Sequence, residues 1–160
     1  MTVPVFFRQE VEPIILPESG EFVTLLRLPI PACYKHCVFK IDTFFELNFL
    51  VQSGETLQQG EPFKLALNYQ LLDGFGENCN EITPILAETI SGAPAGLVVE
   101  GENKQLFQFE SNTSPNATVI TTPLVNEAVY LVANINETQG GVFVPAAQFR
   151  SINATVLSTV

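Results

Sequence analysis

From residue 37 to residue 51 the chain alternates. Cys37, Phe39, Ile41, Thr43, Phe45, Leu47, Phe49 and Val51 hold the odd positions, while Lys40, Asp42, Glu46 and Asn48 interrupt the even ones. A period of two is the mark of a β-strand with one buried face, and a run this long in one phase makes a register slip costly. Phe44 is the main exception on the wet side. At about 3.3 Å per residue the run spans about 50 Å, longer than common strands, so a bend or bulge is expected within it.

The same pattern recurs along the chain. Residues 62–72 set Phe63, Leu65, Leu67, Tyr69 and Leu71 on one side and stop at the Asp73-Gly74 turn pair; residues 22–30 form another strand candidate, ended by Pro29 and Pro31. Shorter candidates follow at 82–90, 97–99, 105–109, 117–122, 128–135, 141–144 and 151–159, with Pro84 marking an edge or a bulge. Residues 52–61 and 73–81 read as polar loops and 91–96 as a Gly/Pro turn. No segment combines a 3.6-residue period with caps, and there is no internal repeat. About eight to ten strands without helices predict an all-β fold. Uneven loop lengths favour a two-sheet jelly-roll or Greek-key sandwich over an up-and-down barrel.

Residues 1–17 read as two extended pieces, 2–7 and 11–16, separated by Arg8-Gln9-Glu10. Pro4, Pro13 and Pro17 remove backbone donors, which suits an edge or an arm. The expected organisation is an N-terminal arm over 1–17 followed by one sandwich domain over 18–160. The arm's candidate assembly residues are Val3, Val5, Phe6, Phe7, Val11, Ile14, Ile15 and Leu16. Two placements satisfy such a segment: it folds back as the first strand of its own sheet, or it adds to the open sheet edge of the next copy. Its reach of roughly 50 Å permits the second, and head-to-tail insertion builds rings or filaments.

Composition narrows the function. Of 160 residues 46% are hydrophobic and 15% charged, with 13 Phe and no Trp, which suits one densely packed β domain. The net charge of −10 and the scattering of seven bases disfavour nucleic acid and anionic membrane surfaces as partners. No apolar run reaches the ~18 residues of a membrane span, and the N-terminus lacks the basic region of a secretory signal.

Little points to chemistry. The sole histidine, His36, adjoins Cys37 and lies near Cys33, but the sequence signatures of hydrolases are missing, so no catalytic residues are expected. Cys33, His36, Cys37 and Cys79 are zinc-ligand types at unsuitable spacing, so neither a metal nor another cofactor is expected. Three cysteines allow one bridge among Cys33, Cys37 and Cys79 with one to spare, a link to a neighbouring subunit, or three free thiols. Glu77, Asn78, Asn80 and Glu81 read as a solvated turn in preference to a calcium loop. Asn112, Asn116, Asn136 and Asn153 begin Asn-x-Ser/Thr triplets, acceptors on a eukaryotic exported protein and otherwise ordinary turn residues. Phe75, between two glycines, is a candidate tip contact.

Several features taken in order resemble the jelly-roll subunits of bacterial endospore surfaces and endospore appendages. They are the apolar, proline-containing arm, the Cys33/Cys37 corner before the long strand, the second strong strand leading to Cys79, and the closing Asn153-Ala154-Thr155-Val156 segment. The resemblance implies a structural subunit that polymerises with other copies of itself into a surface or extracellular fibre by N-terminal strand complementation. This arm holds no cysteine, so coupling would rest on strand addition and apolar pockets, with Cys33, Cys37 or Cys79 at most reinforcing it. The alternative expectation is a jelly-roll binding module for carbohydrate or a protein receptor, viral capsid and decoration proteins included.

Overall fold

The alternating run forms β4 (Val38–Gln52), and every odd side chain from Cys37 to Val51 is buried. The computed structural model describes residues 3–52, 62–92 and 108–158. In one sheet β4 lies between β11 (Val142–Ser158) and an edge made of β8 (Gln108–Thr113) and β9 (Asn116–Ile120). The far side of β11 pairs with β1 (Val5–Glu10) and β2 (Ile14–Ile15). The second sheet runs from β3 (Val23–Pro29) through β10 (Ala128–Gln139) to β5 (Phe63–Asp73), edged by β6 (Asn80–Glu81) and β7 (Leu86–Gly92). These pairings are all antiparallel. Among the described residues the only helical segment is a 3-10 turn at Gly76–Asn78.

Several short elements are one strand interrupted. Leu47 pairs with Thr113 and Phe44 with Asn116, three residues on along both chains, so β8 and β9 share a register. Pro115 sits in the gap, and its carbonyl still accepts the Phe45 N–H at 3.0 Å. Pro13 lies between β1 and β2, and Pro84 between β6 and β7. With each broken strand counted once, one sheet has the order first, eighth, third, sixth and the other second, seventh, fourth, fifth. That is the order of a jelly roll, two Greek keys folded into a two-sheet sandwich. Proline, lacking an N–H, breaks only edge strands here; β4, β5 and β10 hold none, and Pro145 of β11 falls at a register shift.

The core fills the space between the sheets. Phe39, Phe45, Phe49 and Leu47 of β4 meet Leu65, Leu67 and Leu71 of β5 and Val129 and Leu131 of β10, all buried in one cluster. The irregularity expected inside the long strand lies in its partner. β4 is unbroken, while its ladder to β11 shifts at three places, each adding one residue to β11. Bulges let the longer strand bend around the straighter one. The two candidates at 141–144 and 151–159 are accordingly two ends of one strand. Residues 97–99, 105–107, and most of the 52–61 loop and the 91–96 turn, lie outside the described residues.

The segment expected as a strand-donating connector is seated at home. β1 pairs with β11 from Val5↔Thr155 to Glu10↔Arg150, and Leu16 donates its N–H to Pro145 at 2.8 Å. Phe6, Ile14 and Leu16 find apolar cover in the parent sandwich, while the ladder to β11 pairs the backbone.

Because one strand carries both faces, adjacent phenylalanines should differ sharply. Phe45→Ala is expected to lower stability by about 3–5 kcal/mol, whereas Phe44→Ala, which removes an outer contact with Phe149, should cost about 1–2 kcal/mol, as urea unfolding would measure.

Candidate functional site

The first strand divides its apolar residues by phase. Phe6, Ile14 and Leu16 turn inward, Phe6 packing edge-on to Tyr34 at 5.1 Å and to Phe39 at 6.4 Å. Val3, Val5, Phe7, Val11 and Ile15 turn outward and remain 53–67% exposed. Leu157, near the end of the adjoining β11, is exposed as well. The eight arm residues therefore separate into three that complete the parent core and five that line an edge strand facing solvent. Apolar residues repeated along one edge, here with Gln9 between Phe7 and Val11, are more suited to contact than single exposed apolar residues, which are ordinary.

A buried arginine holds the break in this strand. Arg150 of β11 donates from Nη1 to the carbonyls of Ala147 and Gln148, each at 2.9 Å, and to that of Glu12. Burial pulls its guanidinium below the ordinary arginine range, and Glu10 and Glu12 act in the opposite sense. Sequence reasoning passed over this residue. The signal was its phase, since Arg150 shares the parity of Ile152, Ala154 and Val156, all buried.

The remaining candidates do not converge. Cys33 and Cys79 are exposed, Cys37 is buried, and all three are free thiols. His36 is exposed in the turn before β4. Among the described residues no three His, Cys, Asp or Glu side chains gather to hold a metal ion. Glu77, Asn78, Asn80 and Glu81 are exposed, and the Asn78 carbonyl accepts from Asn126 Nδ2 at 3.0 Å. Asn112, Asn116 and Asn136 are exposed and Asn153 is half-buried. Phe75 is exposed, but its ring lies 5.6 Å from that of Tyr130.

Across the sandwich from the first strand, Tyr69 links the sheets. Its hydroxyl donates to the Asn116 carbonyl at 3.0 Å, and its ring meets Phe45 edge-on at 5.6 Å. Glu88 of β7 stands close by and accepts from the Thr113 hydroxyl. Burial first, and then the Glu88 charge, raise the pKa of Tyr69 above the ordinary phenol value.

Strand order and core together define a jelly-roll sandwich. No family model matches the chain, and no curated protein matches it either. Among the solved structures that show weak likeness are the following three. The structure of infectious bursal disease virus Gx strain matches at 17% identity and TM-score 0.43, covering 96% of this chain and 32% of that one. The VP2 subviral particle of infectious bursal disease virus matches at 13% identity and TM-score 0.27, over 97% and 42% of the two chains. T=1 particles of a D431N mutant VP2 match at 13% identity and TM-score 0.24, over 97% and 40%. The chain thus spans about a third to two fifths of the length of these structures. They are viral proteins, not endospore-appendage subunits.

Tyr69 supplies a pH test. A phenol whose folded pKa is raised contributes stability that is complete below its unfolded pKa of about 10 and is lost as pH rises through the folded value. Spectrophotometric titration should show a late ionisation of Tyr69, and Tyr69→Phe should remove that step and flatten the alkaline loss of stability.

Proposed function

We infer that this protein is a structural jelly-roll subunit that associates with copies of itself, covering the outer side of its first strand, in the shell or surface decoration of a particle outside the cell. The observation that carries this is the run of Val3, Val5, Phe7, Val11 and Ile15, exposed along one sheet edge. Edge strands are ordinarily guarded by lysine, proline or bulges. Here prolines interrupt the edge, but its outward side chains from Val3 to Phe7 are apolar or small and include no lysine. A second copy is the natural occupant. An alternating apolar strand turned antiparallel on itself presents Val5 and Phe7 to their own kind, a self-complementary contact of the sort that closes two-fold dimers.

A fibre made by exchanging the first strand between copies is the second form of the same idea. It is favoured by the way residues 3–16 meet the sandwich along a single edge and leave it through the Pro17–Gly20 turn. Glycan or receptor binding by exposed loops is not needed to explain the stripe.

Light scattering on full-length protein should give a dimer or larger species at concentrations up to roughly 100 μM, where a contact of about −5.5 kcal/mol becomes visible. Val5→Glu with Phe7→Glu should return it to the 17.5 kDa monomer without changing the unfolding midpoint appreciably. Filaments in negative stain that disappear when the chain starts at Glu18 identify exchange, and discrete oligomers identify side-by-side contact. A wild-type chain that stays monomeric throughout overturns both.

A further inference from the structure

The three arginines of the chain, Arg8, Arg27 and Arg150, all line one groove. It runs between the first strand and β3, where the edges of the two sheets face each other, and its volume is about 420 Å³. That is within the range of small-molecule sites. In a chain of net charge −10, all three arginines line this groove, together with only two carboxylates, Glu10 and Glu12. The remaining described lysines lie elsewhere, Lys40 paired with Asp42 and Lys64 with Glu137 among them.

The three cations are held differently. Arg8 forks onto Glu10 through Nε at 2.8 Å and Nη2 at 2.5 Å. Arg27 donates from Nε to the Tyr130 hydroxyl at 3.0 Å, with its guanidinium 5.9 Å from the ring centre. Arg150 is only 3% exposed, its recorded acceptors are backbone carbonyls, and its Nε has no partner. Among the described residues no carboxylate forms a salt bridge with it. Glu10 and Glu12 act on this buried cation without pairing with it directly, and a bound anion in contact would offset more of its desolvation cost.

We propose that this groove binds a small carboxylate, with Arg8, Arg27 and Arg150 as the residues that recognise the anion. A guanidinium presents a planar fork of donors that matches the two oxygens of a carboxylate. Ile14, Leu25 and Leu26 supply apolar wall for the body of the ligand. The carboxylate can come from a sugar acid or a free organic acid. The site does not depend on how copies associate.

Three arginines give three Nε–Hε signals in a nitrogen-proton correlation spectrum, each assignable by its loss in Arg8→Gln, Arg27→Gln or Arg150→Gln. Titration with glucuronate should move the Arg27 and Arg150 signals saturably, with glucose inert and sulfate at equal ionic strength much weaker. Tighter binding of glucuronate than acetate identifies a sugar acid, and the reverse a free acid. Arg8→Gln and Arg27→Gln, exposed enough to leave the fold intact, should each weaken glucuronate binding about tenfold or more. The proposal is overturned if neither carboxylate moves the signals, if glucose or sulfate moves them equally, or if both variants bind as wild type does.

Discussion

Burial of the odd face of β4 is the constraint from which the rest of the structure follows. Its rings reach across to the opposite sheet: Phe45 meets Tyr69 of β5 edge-on at 5.6 Å, and Phe49 meets Phe63 at 6.1 Å. These contacts set the separation of the sheets where a chain without tryptophan has only phenylalanine and tyrosine to span it. β11 must then follow β4 along its length, and it does so with three extra residues, bending at each. Register, curvature and thickness thus trace to one strand whose phase never changes.

The treatment of the edges follows from the same economy. A sandwich that buries its central strands leaves four edge strands, and three of them are broken at proline, with Pro29 closing the fourth. Breaks shorten each unpaired run of N–H and C=O groups and discourage indiscriminate pairing. Ile85, Ile120, Val125 and Val144 are exposed apolar residues on separate turns and strand ends, which needs no explanation. The first strand differs because several outward apolar residues recur along it, Val3, Val5 and Phe7 in succession and then Val11 and Ile15. An edge interrupted against random pairing yet apolar on its outer side is suited to one defined neighbour.

Most of the architecture was legible because period-two alternation is a local property. β4 and β5 declare their faces residue by residue, and proline marks an edge wherever a donor is missing. Three features were not legible for the opposite reason. The union of 141–144 with 151–159 is hidden by bulges, which break the alternation at Gln148 and Phe149 while the strand continues. Strand order depends on partners far apart in sequence, such as Val5 with Thr155. The arginine groove is likewise assembled from three strands, and its clue, a lone arginine in core phase, carries no weight until its neighbours are known. Placement of residues 1–17 was undecidable on the same ground, since an apolar strand suits its own sheet and a sister's equally well.

Arg150 joins these themes, because it anchors the break in the first strand and lines the groove behind it. Pulling that strand away from its parent takes the Glu12 carbonyl from a buried guanidinium, exposes Leu16 and the inner face of Phe6, and opens the ladder to β11. Each large apolar side chain so exposed costs about 1.5–3 kcal/mol, and a buried cation stripped of an acceptor adds to this. A sister strand entering the same slot restores every one of these contacts, so exchange is nearly neutral at equilibrium and is opposed chiefly by the barrier to opening. Side-by-side association meets no such barrier, since the outward residues are already free. Any exchange would therefore belong to folding, when the slot on β11 is still empty, whereas the contact proposed for the outer stripe requires no opening of the folded molecule.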